Sequence, residues 1–179
     1  DISVTVSKRC IVQNEEQKEY FNKIIQKKMK VFTNPLHPMI THVRKEYKVN
    51  APLVFVNVGR LRQQKNQKLL CHAFAIASRG IPEISLEIYG VGPLHDELQQ
   101  YIETLGMQGK ISLCGKTDNI AYTLTKADAF ILSSDYEGMP NALLEAMAAG
   151  LPCISTDCPT GPSDMIENGE NGILVPVGD

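Results

Sequence analysis

No apolar run in this chain approaches the roughly 18 residues that a membrane-spanning helix needs. Neither sign of charge prevails: 18 Lys and Arg stand against 20 Asp and Glu, a formal net charge of −2. That balance provides no basic field to hold nucleic acid or an anionic membrane. The four histidines (His37, His42, His72 and His95) do not group with cysteines or acids at metal-ligand spacing, so no structural metal is expected. The cysteines (Cys10, Cys71, Cys114, Cys153 and Cys158) are odd in number and form no Cys-x-x-Cys pair. A reducing, cytoplasmic setting follows. The opening Asp1-Ile2-Ser3 has neither an initiator methionine nor the character of a signal peptide, and reads as an internal cut in something longer.

What is present is an ordinary globular composition, 43% hydrophobic and 21% charged over 179 residues. From Leu53 onward, short apolar runs alternate with helical stripes. Strands are predicted at Leu53–Val58, Ser85–Tyr89, Ile111–Cys114, Asp128–Ser133, Cys153–Thr156 and Gly172–Val175. Helices are predicted at Gln67–Ser78, Leu94–Leu105, Asn119–Lys126 and Asn141–Ala149, with a helical turn at Ser163–Glu167. Gly106 and Gly150 stand where helix C-termini want glycine. The fold class that follows is α/β: a Rossmann-like parallel sheet with helices on both faces.

The first fifty residues differ. They predict a strand at Ile2–Val6, an amphipathic helix over Glu15–Lys28 and a short strand at Lys30–Phe32. Breaks follow at Asn34-Pro35-Leu36-His37-Pro38 and at Asn50-Ala51-Pro52. Residues 1–50 thus read as a trailing βα unit plus linker, and 51–179 as the main domain, without a helix after its last strand.

In an open parallel sheet, ligands bind beyond the carboxyl ends of the strands. Gly59-Arg60-Leu61 with Lys65, Gly90-Val91-Gly92-Pro93, Gly115-Lys116-Thr117 and Ser133-Ser134-Asp135-Tyr136-Glu137-Gly138 fall there. Two familiar readings fail. Gly90-Val91-Gly92 begins like a dinucleotide fingerprint, but His95 stands at the third glycine and no acid ends the next strand. Gly115-Lys116-Thr117 resembles the end of a phosphate loop, yet Gly109 lies one residue too far away, across a predicted strand. A nicotinamide enzyme and an NTPase are both disfavoured.

Glu137 and Glu145 fit better. Pro140 suits the first turn of a helix, placing Glu137 in the loop before it and Glu145 in its second turn. Gly138 lets main-chain amides come close to a ligand. The helix start after Met139, Pro140 and Asn141 offers N–H groups that suit phosphate. Glu145 has the chemistry to accept hydrogen bonds from adjacent hydroxyls, while Arg60 and Lys65 are the candidates to neutralise phosphate.

The ordered set Gly59-Arg60-Leu61, Lys65, Gly90-Val91-Gly92-Pro93, Glu137 and Glu145 in E-x7-E spacing, Gly150-Leu151-Pro152 and Gly161 through Pro176 resembles the C-terminal domain of family 4 glycosyltransferases. These are retaining enzymes of the two-domain GT-B architecture, and the likeness leans towards bacterial enzymes of surface polysaccharide, lipopolysaccharide or lipid-linked oligosaccharide synthesis. It covers roughly 53–179, with 2–34 resembling the end of an N-terminal domain that is missing here. The resemblance implies a nucleotide diphosphate sugar, with uracil the first choice of base, as co-substrate, and no metal or other cofactor. Arg60 and Lys65 would hold the diphosphate and steady the leaving group, and Glu137 would meet the donor sugar. Glu145 would bind the ribose, and Gly138, Met139, Pro140 and Asn141 would touch sugar and phosphate. Gly59 and Gly90 would line the site, and Gly115, Lys116 and Thr117 would lie by the base. A saccharide or lipid-linked acceptor would bind through the N-terminal domain, so this piece alone is expected to be inactive. Nucleic acid is not an expected partner; the inner face of the cytoplasmic membrane stays open as a peripheral location for the full-length protein. Two other readings remain: a non-catalytic nucleotide-sugar-binding module and a GT-B sugar-nucleotide epimerase.

Overall fold

The computed structural model describes residues 7–36, 38–40, 52–81 and 83–179. The strand expected at Ile2–Val6 and the break at Asn50-Ala51 lie outside them.

The main sheet is built from β3 (Leu53–Val58), β4 (Ile84–Tyr89), β5 (Ile111–Gly115), β6 (Ala129–Leu132), β7 (Cys153–Thr156) and β8 (Ile173–Val175). Its order is β5-β4-β3-β6-β7-β8, with every neighbouring pair parallel. The chain moves outward from β3 through β4 to β5, then returns to the other flank of β3 with β6. The order reverses between β3 and β6, and this is the crevice where such sheets take ligands.

Four longer helices cover the sheet: α3 (Gln67–Ala77), α4 (His95–Thr104), α5 (Ile120–Lys126) and α6 (Asn141–Ala148), with a short α7 at Pro162–Met165. Side chains alternate across a strand, and the core divides accordingly. Phe55 and Ile131 pack with Leu70, Phe74, Leu98 and Ile102 of α3 and α4. Val56, Phe130 and Leu132, their immediate neighbours, pack with Leu124, Leu143 and Ala146 of α5 and α6. Helices therefore lie on both faces, as the sequence predicts. Burial pushes the Cys71 and Cys153 thiols up to about 12, so both behave as small hydrophobes of this core. Among the described residues no helix is long and apolar enough to cross a membrane.

The N-terminal segment forms a separate two-stranded parallel sheet, β1 (Cys10–Val12) with β2 (Met29–Val31). Strand β1 is not among the sequence expectations. The single helix expected over Glu15–Lys28 is in fact two, α1 (Glu15–Glu19) and α2 (Lys23–Gln26). The reason is local: the Asn22 side chain accepts from the main-chain N–H groups of Ile24 and Ile25, starting a new helix where the first would have continued. Pro140 is likewise not in the first turn of α6 but is its N-cap residue, at φ −75° and ψ 91°.

Candidate functional site

The loop after β3 and the loop after β6 meet at the switch point. After β3, Gln63–Lys65 makes a 3-10 turn, and Asn66 takes a left-handed conformation at φ 44°. From there its side chain receives the Leu69 N–H, starting α3, and donates to Asp135 Oδ1 at 2.7 Å. Three more bonds tie the two loops together: Asp135 N to Gln64 O, Gln64 Nε2 to Tyr136 O, and Ser133 Oγ to Lys65 O at 2.8 Å. Their common product is one ion pair. Lys65 Nζ donates to Glu137 Oε1 at 2.5 Å, and Ser134 Oγ donates to the same oxygen at 2.6 Å. The side chains are 21% and 6% exposed, so the carboxylate is nearly dry and the ammonium lies towards the opening. Beneath them Glu137 N donates to Pro159 O, while Thr160 N and Thr160 Oγ1 donate to Glu137 O. Burial pushes the Cys158 thiol up to about 11, outweighing the lowering by its hydrogen bond with Thr156, while the Glu137 charge adds a smaller push upward, so this nearby sulfur stays protonated.

The glycines explain how the loops come so close. A Cβ on Gly90, at φ 154°, would fall 1.8 Å from Gly59 O, and one on Gly92 would fall 2.2 Å from Leu61 O. Gly90 N donates to Gly115 O, joining the ends of β4 and β5 to the same layer. Two hollows lie by these loops. One, of about 580 Å³, opens on Glu137 between Tyr20, Phe21, Tyr136 and Thr160. The other, of about 390 Å³, lies along α3 between Arg62, Lys68, Glu97 and Asp135.

A parallel sheet whose switch point presents a cation, a carboxylate and a helix start within one crevice suits an anionic ligand that also carries hydroxyls. The sequence profile of the family described as glycosyl transferases group 1 matches residues 39–179. The chain belongs to that family. Among relatives of this group 1 glycosyltransferase chain, an uncharacterized glycosyltransferase of Methanocaldococcus jannaschii is 35% identical over 172 residues, 87% of this chain and 41% of that protein. The lipopolysaccharide 1,6-galactosyltransferase of Salmonella typhimurium is 37% identical over 131 residues, 71% of this chain and 36% of that protein. In structure, the chain is similar to the pneumococcal O-GlcNAc transferase GtfA in complex with UDP and GlcNAc, with a TM-score of 0.80 and 26% identity over 97% of this chain and 35% of that one. The chain thus spans less than half the length of these relatives.

Within this glycosyltransferase fold, the residues singled out from sequence divide into two sets. Lys65, Glu137, Gly138, Met139 and Asn141 stand around the crevice; Glu145 is half-buried in the second turn of α6, and Arg60 is exposed just after β3, its main-chain oxygen accepting from Gln67 Nε2 at 3.0 Å. At the β5 end, Lys116 makes a surface ion pair with Asp118 at 3.4 Å, and Thr117 shares a 2.7 Å hydrogen bond with Thr123, bracing the start of α5. Sequence reasoning missed Thr160 and the whole amide cluster of Gln13, Asn14, Gln17 and Asn34. It reads Gly138 as room for a ligand. The structure instead places Gln13 and Gln17 there, 2.8 and 2.7 Å from where a Cβ would stand. No local pattern could reveal those contacts, since more than a hundred positions separate the partners.

Proposed function

We propose that this chain is the donor-binding half of a retaining, family 4 glycosyltransferase that moves a hexose from a UDP-sugar to a saccharide or lipid-linked acceptor. In this reading residues 1–50 are the end of the N-terminal domain with its linker, and 51–179 form the C-terminal domain. The observation that carries it is the Lys65–Glu137 pair at the switch point. One carboxylate faces hydroxyls and the developing positive charge of the sugar; the ammonium beside it has further N–H donors for the diphosphate. Arg60 adds a second cation, so charge building on the leaving nucleoside diphosphate is met without a metal. Such stabilisation is commonly the largest catalytic term. Glu145 binds the ribose hydroxyls, and the main chain of residues 138–141 touches sugar and phosphate. The naming of a lipopolysaccharide galactosyltransferase among the relatives and of UDP in the GtfA complex supports the choice of donor and of polysaccharide synthesis.

Calorimetric titration of the chain with UDP, GDP and ADP tests this. UDP is expected to bind best, and Arg60→Ala and Glu145→Ala are each expected to weaken it by roughly ten-fold, the loss of one charge-assisted contact. UDP binding that neither substitution changes would sink the assignment.

A further inference from the structure

The loop of residues 138–141 is not bare. Gln13 Oε1 accepts from Met139 N at 3.1 Å, and Gln13 Nε2 donates to Asn34 Oδ1 at 3.1 Å. Asn34 Nδ2 in turn donates to Asn141 Oδ1 at 2.6 Å, and Gln17 Oε1 accepts from Gln13 N at 2.9 Å. Asn14, 6% exposed, reaches Gly138 O with its Nδ2 at 3.4 Å. A primary amide is therefore laid over the loop's one glycine, taking a main-chain N–H on one side and offering a hydrogen to an amide oxygen on the other. Accepting and donating side by side is also what two neighbouring sugar hydroxyls do.

We propose that Gln13 is a stand-in for the donor hexose and helps to set which sugar is accepted. The Gln13 amide holds Met139 N–H and Asn34 Oδ1. In the loaded site one hydroxyl of the hexose accepts from Met139 N–H, its neighbour donates to Asn34 Oδ1, and Gln13 swings aside. A hexose whose adjacent hydroxyls reproduce both bonds replaces Gln13 without leaving either group unpaired; one that reproduces a single bond does not. This rests on the donor reading above. UDP itself brings no hexose and leaves the Gln13 contacts in place.

The test is calorimetric titration of the 179-residue chain with UDP, UDP-glucose and UDP-galactose, in wild type, Gln13→Ala and Gln13→Glu. Gln13→Ala removes the competitor, so the tighter UDP-hexose is expected to gain roughly five-fold while UDP stays within two-fold. Gln13→Glu holds Met139 N–H more firmly, so it is expected to bind UDP-hexose more weakly than wild type. Gln13→Met keeps the length without the polar atoms and is expected to reproduce the alanine result should that variant be unstable. Unchanged or weakened UDP-hexose binding in Gln13→Ala and Gln13→Met would make the amide a plain brace of the loop and overturn the inference alone. Wild type that binds no uridine nucleotide would instead remove the donor reading, and this inference with it.

Discussion

Lys65→Ala is expected to destabilise the chain more than Glu137→Ala, although each removes one end of the same ion pair. The Glu137 side chain is 6% exposed and the Lys65 side chain 21%. Removing the lysine leaves a nearly dry carboxylate whose remaining side-chain support is the Ser134 hydroxyl. Stranding a buried charge costs on the order of 3–5 kcal/mol. Removing the glutamate leaves an ammonium on a flexible stem at the opening, where it can turn to water, and the cost falls to about 1–2 kcal/mol. Denaturant midpoints of both variants and of Lys65→Ala/Glu137→Ala measure this; the double variant is expected to recover part of the Lys65→Ala loss. Equal losses, or a larger one for Glu137→Ala, would mean that the carboxylate is not the buried partner. The same asymmetry matters for function, because a buried carboxylate held in place at the crevice by a neighbouring ammonium is positioned to meet hydroxyls or positive charge.

Gly90→Ala is expected to disrupt the molecule although it adds one methyl group. At φ 154° that position suits glycine, and the new Cβ would overlap Gly59 O at 1.8 Å. Backbone strain of this kind costs on the order of 1–3 kcal/mol before any overlap is counted. Relief requires separating the 59–61 and 90–92 strands of loop, which are joined by Leu61 N to Val91 O at 3.1 Å. A loss of roughly 3 kcal/mol or more is expected, read as a fall in thermal midpoint. Gly109→Ala is the control, since a Cβ there meets nothing within 4 Å. A Gly90→Ala variant as stable as that control would contradict the close crossing.

The difference between those two glycines illustrates what the sequence made legible. Gly90 and Gly92 end an apolar run, so a turn at the sheet edge was readable; that their hydrogens face Gly59 O and Leu61 O was not, because that follows from strand order. The βαβ alternation from Leu53 to Val175 was legible throughout, since each strand is short, apolar and closed by a turn residue. Lys65 and Glu137 could be singled out by type and by position after a strand. Their direct pairing could not, as it depends on β6 returning beside β3. The N-terminal segment is the least legible. Its helix stripe continues through Asn22, and one cap that satisfies two N–H groups overrides it. Its amides act on residues 138–141, a contact between segments more than a hundred positions apart in the sequence.

The most direct measurement is diffraction from crystals of this chain grown with UDP. The account predicts the diphosphate at the carboxyl ends of β3 and β6, within hydrogen-bond distance of Lys65 Nζ and the Arg60 guanidinium, with the ribose at Glu145. A diphosphate seated beside Lys116, or in the hollow between Arg62 and Lys68, would contradict it.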